Sequence, residues 1–207
     1  MATAFFDRFL LAALACIGVL GIGRLLVLRA RGMRVLVVDR GRSPLEIAFN
    51  SALLACLILW VWEVVTFAWP LPSLSPPILD AIVLRSVVWK ATGALFAAAA
   101  VIIYALGLFA LSTSWRLGID REAPGPLITR GIFRRTRNPI YVAFDLCLLA
   151  SFLVIGRPAI FVLAVLLAAL LHEQILQEER FLARRHSEAF REYVARVGRY
   201  WSVRPSR

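Results

Sequence analysis

Long apolar runs separated by arginine-rich connectors constrain this chain more than any other feature. Of its 207 residues, 60% are hydrophobic and only 18% charged, against roughly a quarter charged in soluble domains. Apolar runs near the ~20 residues that cross a bilayer as a helix make this an integral membrane protein. Five spans are predicted, over about 5–28, 45–69, 78–111, 139–155 and 158–171. The third run is too long for one perpendicular helix, so its start is expected to lie in the interface or to tilt. The last two are shorter than a lone span needs, and the three residues Gly156-Arg157-Pro158 between them allow only a tight turn. They therefore form a helical hairpin, and the fifth helix is expected to continue as a polar helix through Glu178 to about Arg185. The fold class is all-α: a polytopic helical membrane protein of about five spans, with a C-terminal hairpin and an amphipathic tail helix folding back at the interface.

Charge sets the expected orientation. The net charge is +11, and every basic residue except Lys90 is arginine. Such a balance in a soluble chain suggests nucleic acid. Here the arginines fall between apolar spans, so topology and anionic headgroups explain them, and no nucleic-acid partner is expected. The first connector carries Arg29, Arg31, Arg34, Arg40 and Arg42, and the third carries Arg116, Arg121, Arg130, Arg134, Arg135 and Arg137. The second, 69–77, carries none. The positive-inside bias then places the third connector and the tail in the cytoplasm. Cys16, Cys56 and Cys147 lie within apolar runs without metal-ligand spacing, and two histidines are too few for a metal cluster, so no metal site is expected.

The residues that carry chemistry cluster in the second half. In the third connector, Gly131 permits close backbone approach, and Arg137 offers a forked donor for a carboxylate. Asn138 falls near the N-cap of a helix that opens on Pro139, leaving N–H groups and a positive helix end at the boundary. Tyr141 and Asp145 share one face of that helix, and Glu178-Glu179 close the next one, with Gln174 a turn earlier on the face of Glu178. One cationic wall and one anionic wall at a membrane surface suit a ligand carrying both charges. The plainer alternative is a basic juxtamembrane loop and a surfacing helix in which Glu178 pairs with Arg184 or Arg185. Asp145 and Glu63 are ionisable groups at membrane depth and need a cavity or a partner. For Glu63 the partner could be Arg24 or Lys90.

Leu127-x-Thr-x-Gly-x-Phe-x-x-x-Arg-Asn-Pro-x-Tyr141, then Glu178-Glu-x-x-Leu182, Phe190-x-x-Tyr193 and Arg199-Tyr-Trp, resembles the isoprenylcysteine carboxyl methyltransferases and the related phospholipid methyltransferases. Trp115-Arg-x-Gly-Ile-Asp120 is similar to bacterial members, and the resemblance covers about 105–201. It implies an S-adenosylmethionine-dependent methyltransferase with a lipidic or small hydrophobic acceptor, whether carboxylate, amine or thiol. It also implies roles. Gly125, Pro126, Leu127 and Ile128 would contact the cofactor, with Phe133 packed beside it. Asn138, Pro139 and Tyr141 would line the pocket, and Glu178 would hold a polar part of the cofactor. Gln174 stands where eukaryotic members place a substrate-contacting arginine, and Asn138 where many members have histidine. Asp145 and Glu179 are the nearest groups to accept a proton. The chain divides on this reading into a three-span region, 1–112, and a cofactor-binding region, 113–207. A membrane reductase using NADPH shares an Arg-x-Pro-x-Tyr segment and is the rival enzyme class; a non-catalytic membrane adaptor is the third reading.

Overall fold

The computed structural model describes residues 2–32, 43–69, 71–111 and 126–202. Among these, every regular element is helical, as expected where hydrocarbon offers the backbone no hydrogen-bond partner of its own. The helices are α1 (Ala2–Ala30), α2 (Pro44–Ala68), α3 (Val87–Leu111), α4 (Pro139–Ile155) and α5 (Pro158–Arg196). Four are long and apolar enough to cross a membrane, and α4 is a shorter apolar helix of 17 residues. The protein is a polytopic helical membrane protein.

Local chemistry accounts for the boundaries. Ser43 and Glu46 form a reciprocal capping box, with Pro44 at the first helical position of α2. The overlong third run resolves into a single 3-10 turn at Pro77–Leu79, a non-helical stretch, and then α3 from Val87. That stretch docks on the α4–α5 turn, where the N–H groups of Val83 and Leu84 donate to the Gly156 carbonyl at 2.8 and 3.3 Å. Gly156 sits at φ 72°, and a Cβ there would lie 2.6 Å from the Leu84 carbonyl oxygen, so both backbone and space demand glycine.

α3 and α4 run antiparallel in close contact through small residues. Gly93 lies against Ala150 and Val154, Gly107 lies against Pro139 and Ile140, and Ala97 and Ala100 between them are fully buried. Without a hydrophobic force between helices in lipid, close approach of this kind supplies the packing. The Lys90 ammonium donates to Asp7 at 2.7 Å and to the Val154 carbonyl at 2.8 Å, tying α1, α3 and α4 together at the end opposite the motif loop.

Glu63 departs from both expected pairings. Its carboxylate accepts from the Ser73 hydroxyl and from the Leu74 N–H, each at 2.8 Å, while Lys90 belongs to Asp7. A loop that folds back over α2 satisfies the buried charge without a cation. The polar part of α5 runs, as expected, to about Arg185; Ser187 (φ 27°, ψ −95°) breaks the helix there, and the tail helix follows to Arg196. Past that break, Phe190, Tyr193 and Val197 pack with Leu127 and Leu182, bringing the tail onto the motif loop and α5.

Candidate functional site

The end of the bundle that holds the C-termini of α1 and α3 also gathers the motif loop, the polar half of α5 and the tail. Gly131, at φ 63°, opens a 3-10 turn over Gly131–Arg134 whose buried Phe133 offers its carbonyl to the Tyr193 hydroxyl at 2.7 Å. Thr136 is fully buried. Its hydroxyl donates to the Arg199 carbonyl at 3.2 Å and accepts from the Asn138 N–H at 3.1 Å. Two backbone links lace the tail alongside: Arg137 N–H to Gly198 O at 3.1 Å, and Ser202 N–H to Arg135 O at 2.8 Å.

Glu179 is the hub of this lacing. Its Oε1 accepts from Arg137 Nε (3.2 Å), Arg137 Nη2 (2.9 Å) and Asn138 Nδ2 (3.2 Å). Its Oε2 accepts from Arg199 Nε (3.0 Å) and Nη2 (2.9 Å). The second arm of Arg137 donates to the Val197 carbonyl at 2.7 Å. Burial pushes the Glu179 carboxyl up, but the hydrogen bonds from Arg199 and Arg137 outweigh it and hold the group below the usual carboxylate range. Arg137, expected as a donor to a ligand carboxylate, and Glu179, expected as a proton acceptor, are therefore engaged with each other. Asn138 does stand at the N-cap of α4, but its side chain caps no helical N–H and reaches to Glu179 and the Arg199 carbonyl instead.

A second cluster lies one residue away. Tyr141 donates its phenol to Glu178 Oε1 at 2.5 Å, and the Gln174 amide also hydrogen-bonds Glu178. Glu178 thus pairs across to α4 and not with Arg184 or Arg185. Two acceptors here, Gln174 Oε1 and Asp145 Oδ1, are buried without a partner among the described residues. Asp145 is one turn beyond Tyr141 on the same face of α4. Buried polar atoms are ordinarily satisfied, so an orphaned amide oxygen and an orphaned carboxylate oxygen need a reason.

Of the remaining candidate residues, Pro126 is exposed, Leu127 packs into the tail cluster, Ile128 is half-buried and Pro139 fully buried. Gly125 and the 115–120 stretch lie outside the described residues, as do Arg34, Arg40, Arg42, Arg116 and Arg121. One pair escaped the sequence reading. His172 Nδ1 lies 2.6 Å from the Tyr200 hydroxyl with the rings stacked. Burial raises the Tyr200 phenol, and the charge of Asp145 raises it further, which puts Tyr200 within electrostatic reach of Asp145. No local spacing could have joined residues 28 apart that meet only when the tail docks.

The site thus combines an arginine-clamped loop with an acceptor-rich cluster of Tyr141, Asp145, Gln174 and Glu178. No curated protein matches the chain. A family model described as phospholipid methyltransferase matches residues 88–189, close to half of the chain, taking in α3, α4 and both glutamates while stopping short of Arg199. The match places residues 88–189 in this group of membrane methyltransferases.

Proposed function

We propose that this protein transfers a methyl group from S-adenosylmethionine to a lipidic or small hydrophobic acceptor at a site facing the cytoplasm. The family match supports methyl transfer. The cofactor assignment is carried by one observation: Gln174 Oε1, on the residue that hydrogen-bonds Glu178, and Asp145 Oδ1, one turn beyond Tyr141 on α4, are buried and unpartnered among the described residues. An acceptor-rich cluster of this kind fits a molecule that bears hydroxyls, an amino group and a sulfonium. When bound, S-adenosylmethionine supplies an electrophilic methyl group. Glu178, oriented by Tyr141 and Gln174, would bind its polar part, and the apolar wall from Phe133 and Ile128 would pack beside it.

Transfer to such a methyl needs alignment and exclusion of water more than covalent help from the protein. The clamp at Glu179 is suited to this as a positioning device, since it holds the Arg137–Asn138 loop against α5. An amine or thiol acceptor must lose a proton, and Asp145 is placed to take it, with Tyr200 and His172 beyond it as a route outward. Residues 113–207 would then be the working part, and 1–112 the membrane scaffold that flanks it. The cytoplasmic orientation rests on arginines of the first and third connectors at the motif end and their absence from 69–77.

The test is calorimetric binding of S-adenosylhomocysteine, and separately of NADPH, to the protein in nanodiscs. S-adenosylhomocysteine should bind and NADPH should not. Glu178→Ala should weaken binding roughly 10- to 100-fold, the loss expected for hydrogen bonds to a charged group, and Tyr141→Phe should weaken it less. Binding of NADPH alone would favour the reductase reading, and binding of neither the adaptor reading. Unchanged affinity in Glu178→Ala would remove the cluster from the site.

A further inference from the structure

A groove of about 310 Å³ runs along α1 where it faces α2, α3 and α4. It follows Leu14, Gly18, Gly21 and Leu25 on α1 and meets Tyr104 and Phe144 opposite them. Its length along α1 is ~16 Å at 1.5 Å per residue, and its volume falls at the low end of ligand sites. The walls are apolar except for the Trp60 indole N–H, buried without a partner among the described residues, and the Tyr104 hydroxyl. Tyr104 is 6% exposed, its hydroxyl lies only 2.6 Å from where a Cβ on Gly21 would stand, and it makes no hydrogen bond with any described residue. A buried phenol without a partner, aimed into an apolar groove, requires an acceptor from the occupant.

The second observation is Arg24. This guanidinium lies within α1, and its Nε is buried with no hydrogen-bond or ion-pair partner among the described residues. An arginine inside a membrane helix is costly unless something anionic meets it. Arg24 follows Ile17, a groove residue, by seven positions and so lies on the same side of α1, toward the end that carries Arg29 in its last turn. It stands three residues, or ~4.5 Å of helix, beyond Gly21 and the Tyr104 hydroxyl. A glycerophospholipid carries a phosphate, then an ester carbonyl a few bonds further in, then an apolar chain.

We propose that this groove binds one anionic phospholipid, with its phosphate on Arg24, an ester carbonyl on the Tyr104 hydroxyl and an acyl chain lying over Gly21 and Gly18. The site is independent of the methyl-transfer reading, since none of these residues belongs to the Tyr141–Glu178 cluster. Charge complementarity selects the occupant: a single unpaired cation favours a net-anionic headgroup over a zwitterionic one, whose amine it repels.

Two glycines give a matched test. A Cβ on Gly18 or on Gly23 meets no atom within 4 Å, yet only Gly18 lines the groove. Leucine is therefore sterically tolerated at both, and Gly18→Leu alone fills the groove. The protein is reconstituted in phosphatidylcholine vesicles containing a trace of diazirine-tailed phosphatidylglycerol or, in parallel, diazirine-tailed phosphatidylcholine. After irradiation the adducts are mapped by mass spectrometry. Adducts should concentrate on residues 14–25 and around Tyr104, with the anionic probe ahead by roughly five-fold, the ratio one basic side chain supports at a lipid surface. Arg24→Gln should bring that ratio to about one. Gly18→Leu should abolish groove adducts of both probes, while Gly23→Leu should leave them as in the parent chain. Equal labelling by the two probes, a preference that survives Arg24→Gln, or groove adducts that persist in Gly18→Leu would each overturn the proposal.

Discussion

Replacing Glu179 with glutamine should release the tail without unfolding the bundle. The substitution keeps the shape of the side chain but turns one oxygen into an amide N–H₂ facing a guanidinium. Arg137 and Glu179 are 8% and 12% exposed, and because glutamine keeps one acceptor oxygen the substitution removes the equivalent of one hydrogen bond to a buried charge, about 1.5–3 kcal/mol. Arg199 is 35% exposed, so solvent screening limits its half of the clamp to about 0.5–1 kcal/mol. The loss is then about 2–4 kcal/mol, localised where the tail crosses the loop. At 1.4 kcal/mol per decade this is on the order of 100-fold. Hydrogen exchange should report it at the Arg137 and Ser202 amides, which donate across that junction, while amides within α3 and α4 keep their protection. Arg196→Ala is the control, because its contact with Glu192 is 4.0 Å long and more than half exposed on both sides. Less than about a three-fold change at both junction amides in Glu179→Gln would refute the clamp.

The same clamp has a pH signature. Its carboxyl is held below its unfolded value of about 4.3, so its contribution is fully present above that value and is lost as pH falls through the folded one. Protection of the junction, corrected for intrinsic exchange, should stay level from about pH 8 to about pH 5 and decline only in stronger acid. A decline beginning near neutrality would assign docking to another group.

Two further perturbations probe the scaffold. Gly156→Ala forces a side chain into a left-handed turn and against the Leu84 carbonyl, and should cost at least about 1–2 kcal/mol; thermal unfolding in detergent should shift down, whereas Gly23→Ala should not lower it. Lys90→Met strands the Asp7 carboxylate and the Val154 carbonyl, at about 3–5 kcal/mol for a broken buried pair. Adding Asp7→Asn should recover a large part of that loss, and strictly additive effects in the double variant would show that the pair does not interact.

Element boundaries were legible because each is set by neighbours in the chain. Pro139 and Gly156 bracket α4 in the sequence as they do in space, and Pro158 opens α5. The continuation of α5 past Leu171 was also readable, since its polar residues remain good helix formers. The start of α3 was not, because the stretch between the 3-10 turn and Val87 is held out of the helix by hydrogen bonds from Val83 and Leu84 to Gly156, a residue of the distant α4–α5 turn. Glu63 misled for a similar reason. A buried carboxylate calls for donors, and sequence cannot tell a cation from a hydroxyl and an amide brought by a returning loop.

The amino-acid order alone determined that the chain lives in a bilayer as helices, and which residues are candidates for its chemistry. Hydrocarbon leaves an apolar run no other way to satisfy its backbone, and loop charge is a local property. Only the folded arrangement decided how those residues divide. It joined Arg137, Asn138 and Arg199 on Glu179, left Asp145 and Gln174 with buried oxygens that no described residue answers, and set Tyr200 against His172. Hydrogen bonds reach only about 3 Å, so which partner a side chain takes depends on how three separate segments converge, information that no spacing along the chain contains.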